Sequence, residues 1–151
     1  MSDILITESQ FKKLILKEQV FTLNVDAPDT IDVNTCNDFL SFISDELELT
    51  TPYSVSLQNE RGDIKTLANY NLENGDIKIY SKNRGLADVL RSVAHEVVHH
   101  QQNQNGKLNN GPIQDIGGDI EDEANAVAGQ LVKKYGYQNQ HIFESIKTKT
   151  I

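Results

Sequence analysis

Three of the chain's four histidines fall within six residues, and two of them close the run His95-Glu96-Val97-Val98-His99. On a helix, residues four apart stand one above the other, so both imidazoles can reach one tetrahedral ion from the same side. Glu96 follows the first imidazole by one residue and points about a third of a turn away. From there it reaches a water on the ion rather than the ion itself. The chemistry this split serves is hydrolysis: the ion lowers the water's pKa to about 7, and the carboxylate takes its proton during attack on a carbonyl. The bland alternative is a set of exposed or core-satisfied histidines on an ordinary helix.

The surrounding pattern supports the helix. After Asn83-Arg84-Gly85, the residues Leu86, Leu90, Val93 and Val97 recur at helical spacing to about Gln102. A helical projection places His95 and His99 within about 40° of each other, opposite that stripe. The stripe is expected to anchor the helix while the imidazoles face elsewhere. His100 lies near the stripe and reads as structural or rim, not as a ligand.

A third ligand must come from another element. A metzincin would need Gly at 102 and His at 105, but Gln102 and Asn105 stand there. The next acidic candidates begin a helix from Gly118 or Asp119, expected to end near Tyr135-Gly136. Ile120, Ala124, Val127, Ala128 and Leu131 form its apolar stripe. Glu121 projects beside Ala124 and Ala128, Glu123 lies further round, and Asp122 faces away. An acid within an apolar stripe is costly without a partner, and a zinc ion would be one. Glu121 is therefore the first choice and Glu123 the second; the alternative is that the acids only favour the helix N-terminus.

His95-Glu96-Val97-Val98-His99 followed by Glu121-Asp122-Glu123-Ala124-Asn125-Ala126-Val127-Ala128 resembles the gluzincin arrangement, closest to the small ImmA/IrrE-type and minigluzincin metallopeptidases. The resemblance covers about Ile77 to Gly136. It implies Zn2+ held by His95, His99 and Glu121, with Asn125 one turn later orienting a ligand histidine. It also implies a strand before the motif helix whose edge pairs with a protein or peptide substrate, a place that Ile77 to Lys82 fits. Two features depart from the pattern. The second helix continues Gly129-Gln130-Leu131-Val132-Lys133-Lys134 where such chains often carry a Leu-Leu-Met-Pro-like segment. No position clearly supplies a second electrophile; Tyr135, Tyr137 and His141 are candidates by type only, each also a plausible packing or surface residue. The segment Ile6 to Lys13 looks similar to N-terminal stretches of small tailed-phage proteins.

The elements that must position these residues give an α+β expectation: a small sheet, then a helical C-terminal half, in one domain over residues 1–151. A helix is expected from Thr7 to about Glu18. A mixed part over 20–82 holds strands at Val20–Val25, Tyr53–Leu57, Ile64–Leu67 and Asp76–Tyr80, with a helix opening at Asn34 or Thr35. Turns are expected at Asp26–Asp29, Asn59–Asp63 and Asn74-Gly75. The helical, zinc-binding part spans 85–147, with a polar loop from Asn103 to Gly118 as a candidate lid and a short helix around Gln140 to Lys147.

Composition narrows the partners. The 151 residues carry a net charge of −8, with 14 Lys and Arg and no strong basic cluster, which argues against a nucleic-acid partner. No apolar run approaches a membrane span, and no signal peptide is evident. The single cysteine, Cys36, makes a disulfide within the chain impossible and points to a reducing compartment, hence a cytoplasmic expectation with a virion as alternative. A thiol fourth ligand is conceivable; a small residue in a helix core is the simpler reading. The functional expectation is a zinc-dependent metallopeptidase. The alternative is a non-catalytic zinc-containing structural or binding protein, whose closed site would recruit His100, Asp119 or His141.

Overall fold

The computed structural model describes residues 20–26, 31–59, 68–108 and 118–144. Among them run strand β1 (Phe21–Val25), helix α1 (Val33–Glu46), strands β2 (Tyr53–Gln58), β3 (Ala68–Tyr70) and β4 (Asp76–Tyr80), then helices α2 (Leu86–Gln104), α3 (Asp119–Gln138) and α4 (His141–Glu144). The fold is α+β, as expected. The helix at Thr7–Glu18, the strand at Ile64–Leu67, and most of the turns at 26–29 and 59–63 lie outside the described residues. So do positions 109–117 of the Asn103–Gly118 loop and the end of the last helix.

The strands form one mixed sheet in the order β1-β2-β4-β3. β1, β2 and β4 are parallel, and β3 runs antiparallel to β4. Alternation along the strands is read out across the sheet. The register aligns Leu23 with Val55, Val55 with Ile77, and Ile77 with Tyr70. This row and the next (Val25, Leu57, Ile79, Ala68) belong to the apolar core, while Thr22, Asn24, Asn69 and Lys78 on the other face are exposed. One face is therefore covered by helices and the other meets solvent.

Two local sequence readings needed adjustment. Helix α1 starts at Val33 rather than Asn34 or Thr35, because Asp32 is the cap: its carboxylate accepts from the Thr35 amide (3.0 Å) and hydroxyl (2.7 Å). Strand β4 is not a free edge over Ile77–Ile79, because β3 occupies that side. At three residues β3 is too short to show alternation, and it is created by the turn that follows it. Asn71 accepts from the amides of Glu73 and Gly75 through its side chain and carbonyl respectively, and Gly75 sits at φ +75°. A Cβ on Gly75 would lie 3.0 Å from the Pro52 carbonyl oxygen, so this glycine serves both the turn and the close approach of the neighbouring chain.

Helix α2 is the centre of the fold and is buried on more than its apolar stripe. Val89, Ala94, Val98 and Gln102 are as buried as Leu90 and Val97, and His99 and His100 are buried as well. His100 extends the Leu86/Leu90/Val93/Val97 stripe toward the sheet. Its Nε2 donates to the Thr51 carbonyl (2.8 Å) and its Nδ1 accepts from the Tyr70 hydroxyl (2.7 Å). Arg84 fastens the start of α2 to the end of β4, bonding the Tyr80 carbonyl, Asp88 and Ser92. On the opposite side, α3 packs against α2 through Ala124 and Ala128, both fully buried. Their small side chains let the helices come close, as the sequence led one to expect. No helix among the described residues is long and apolar enough to cross a membrane.

Candidate metal centre

The face of α2 turned toward α3 carries His95, His99 and Gln102, and the first turn of α3 delivers Glu121 to it. The imidazoles face away from the apolar stripe and lie between the two helices, with His99 only 2% exposed. The imidazole nitrogens His95 Nε2 and His99 Nε2 are 3.2 Å apart. One Glu121 oxygen lies 3.1 Å from His95 Nε2 and the other 3.0 Å from His99 Nε2. The two rings meet edge to face, at 86°.

These separations can be tested against a metal. A tetrahedral zinc with bonds of about 2.0–2.1 Å separates its ligand atoms by about 3.3 Å. Here the two Nε2 atoms are 3.2 Å apart, and each has a Glu121 oxygen of its own at 3.0–3.1 Å. Two imidazole nitrogens and a carboxylate this close repel through their lone pairs unless a cation or a shared proton lies among them. The residues present therefore fit a divalent ion, and among the described residues His95, His99 and Glu121 are the group able to hold one.

Burial holds the His99 imidazole below its usual pKa, keeping it neutral as a ligand must be. Glu96 is also buried, with its Oε2 4.0 Å from His95 Nε2. Loss of solvent, and then the charge of Glu121, push its carboxyl up to about 8. A divalent ion beside it would favour the carboxylate again. Glu96 is thus beside the candidate site but outside its ligand triangle.

The other sequence candidates are placed as follows. Glu123 does not join the triangle: its Oε1 accepts from Gln102 Nε2 (2.8 Å), and Lys107 Nζ lies 3.3 Å from its Oε2. Those bonds, that from Gln102 first, hold its carboxyl below the usual range. Asn125 is exposed, and among the described residues no hydrogen bond joins it to either imidazole. The Tyr135 hydroxyl donates to Asp38 (2.7 Å) while its ring packs on Phe39, which makes it a packing residue between α3 and α1. Tyr137 is 69% exposed. His141 bonds the Thr35 hydroxyl (2.9 Å) beside the cap of α1, and Asp119 is exposed. Cys36 is buried in the core, its thiol pushed up to about 12 by desolvation.

The residue that sequence reasoning passed over is Gln102. It is fully buried, and its Oε1 lies 2.8 Å from His99 Nδ1. The spacing held the signal: Gln102 is three residues beyond His99 and so shares its face. No protein family, curated protein or solved structure matches this chain.

Proposed function

We propose that this chain is a zinc-dependent metallopeptidase of gluzincin arrangement, with His95, His99 and Glu121 as ligands and Glu96 as the proton carrier. The observation that supports it is the convergence of the His95 and His99 Nε2 atoms (3.2 Å apart) on the two oxygens of the Glu121 carboxylate (3.1 and 3.0 Å), with a second acid, Glu96, 4.0 Å from His95 Nε2. A bound zinc would supply Lewis acidity, lowering the pKa of a water and stabilising negative charge on a carbonyl oxygen. Glu96 then takes one proton from the attacking water and returns it to the leaving amine, so it ends the cycle as it began. Burial serves this role, because a carboxyl in a low-dielectric setting is poised to both accept and release a proton. Held on one ion, His99 and Glu121 would cross-link two helices that are packed by small residues, which would keep the site rigid. The substrate is a protein or peptide, and the single buried cysteine fits a reducing compartment such as the cytoplasm.

A purely structural zinc site would be closed by a fourth protein ligand. His100 is committed to the sheet side of α2, and His141 to the cap of α1. The test is hydrolysis of an unfolded protein substrate by the zinc-loaded chain. Glu96→Gln should retain zinc and lose activity by about 10²–10⁴-fold. A Glu96→Gln protein as active as wild type would remove Glu96 from the mechanism.

A further inference from the structure

Gln102 has a polarity that its neighbours dictate. One end of its amide faces the Ile120 carbonyl oxygen (3.1 Å) and Glu123 Oε1 (2.8 Å). A carbonyl and a carboxylate can only accept, so that end must be the NH2, and both of its hydrogens are used. The other end, Oε1, then faces His99 Nδ1 at 2.8 Å, and an amide oxygen can only accept. His99 must therefore carry a proton on Nδ1, and in the neutral ring this leaves Nε2 as a bare lone pair. That lone pair points at Glu121 Oε2 (3.0 Å) and His95 Nε2 (3.2 Å).

We propose that Gln102, held by Glu123, is a positioning residue that locks His99 in the Nδ1-protonated tautomer and so presents Nε2 as a ready ligand. This rests on reading His95, His99 and Glu121 as the metal group. The chain of contacts runs from Lys107, in the turn after α2, through Glu123 on α3 to Gln102 and His99 on α2. It gives Glu123 a role distinct from ligation, and it accounts for a fully buried amide beside the two imidazoles. Groups that fix the far nitrogen of a ligand histidine typically alter metal affinity 10–100-fold.

The test has two readouts. In the metal-free protein, the imidazole 15N shifts of His99 at pH 8 should report a proton on Nδ1. In Gln102→Leu, which keeps the volume and removes the acceptor, the proton should redistribute toward Nε2. Zinc affinity, read by competition with a chelator, should fall 10–100-fold in Gln102→Leu. It should recover in Gln102→Glu/Glu123→Gln, where acceptor and donor have changed places. Should Gln102→Leu fail to fold, Glu123→Ala releases the amide from the surface side and should show the same tautomer change in milder form. A wild-type His99 protonated on Nε2, or unchanged tautomer and affinity in the variants, would overturn the proposal. A wild type that binds no zinc would instead remove the proposed function, while the tautomer measurement would still decide the role of Gln102.

Discussion

Replacing Glu96 with Gln in the metal-free protein should stabilise it, by an amount that grows as pH rises from about 4.5 to 8. The Glu96 carboxyl is buried, lies 4.0 Å from His95 Nε2 on its own helix and within reach of the Glu121 charge on α3, and is pushed from its ordinary value near 4.5 up to about 8. A carboxyl whose folded pKa is raised favours the fold while protonated. That contribution is complete below about pH 4.5 and is lost as pH rises through 8. At about 1.36 kcal/mol for each tenfold change in proton activity, the loss across this window reaches a ceiling of about 5 kcal/mol. A domain of this size has only about 5–15 kcal/mol in total. Gln cannot ionise and mimics the protonated acid, so the variant is spared the loss. Guanidinium unfolding with chelator present, at pH 5 and pH 8.5, measures the effect. The two proteins should be nearly equal at pH 5, and Glu96→Gln should be several kcal/mol more stable at pH 8.5. An equal difference at both pH values would refute the reasoning, since nothing else about the substitution titrates.

Zinc should abolish that difference, because a cation beside Glu96 makes its charge favourable; repeating the pH 8.5 unfolding with saturating zinc checks this. Gly75→Ala should cost about 1–3 kcal/mol, from a left-handed backbone and a methyl 3.0 Å from the Pro52 oxygen, measured by chemical denaturation. Asp32→Ala removes the cap of α1 and should cost about 0.5–2 kcal/mol in the same assay, with Asp32→Asn losing far less.

The part of the site most legible in the sequence was the part set by short-range periodicity. The i, i+4 pair fixed His95 and His99 on one side of a helix, and the Ala124/Ala128 stripe located Glu121 on the facing side of the next. Long-range features were not legible. The spacing puts Gln102 on the His99 face, but the partner that orients its amide, Glu123, comes from the next helix and is not legible locally. The same holds for the burial of the imidazole face, which follows from α3 covering a side of α2 that the apolar stripe alone left open. Strand β3 was hidden by its length, and its discovery turned β4 from an edge into an interior strand. Tyr135 and His141 were plausible by type, but their partners Asp38 and Thr35 come from α1, about a hundred residues away in the chain.

The central claim is a metal held by His95, His99 and Glu121. The most direct measurement is the zinc content of the protein after equilibration in zinc buffer and removal of excess, for wild type, His95→Ala, Glu121→Ala and Glu96→Gln. The account predicts one zinc per chain in wild type and in Glu96→Gln, and none in His95→Ala or Glu121→Ala. A wild type without zinc, or zinc kept when His95 or Glu121 is removed, would contradict it.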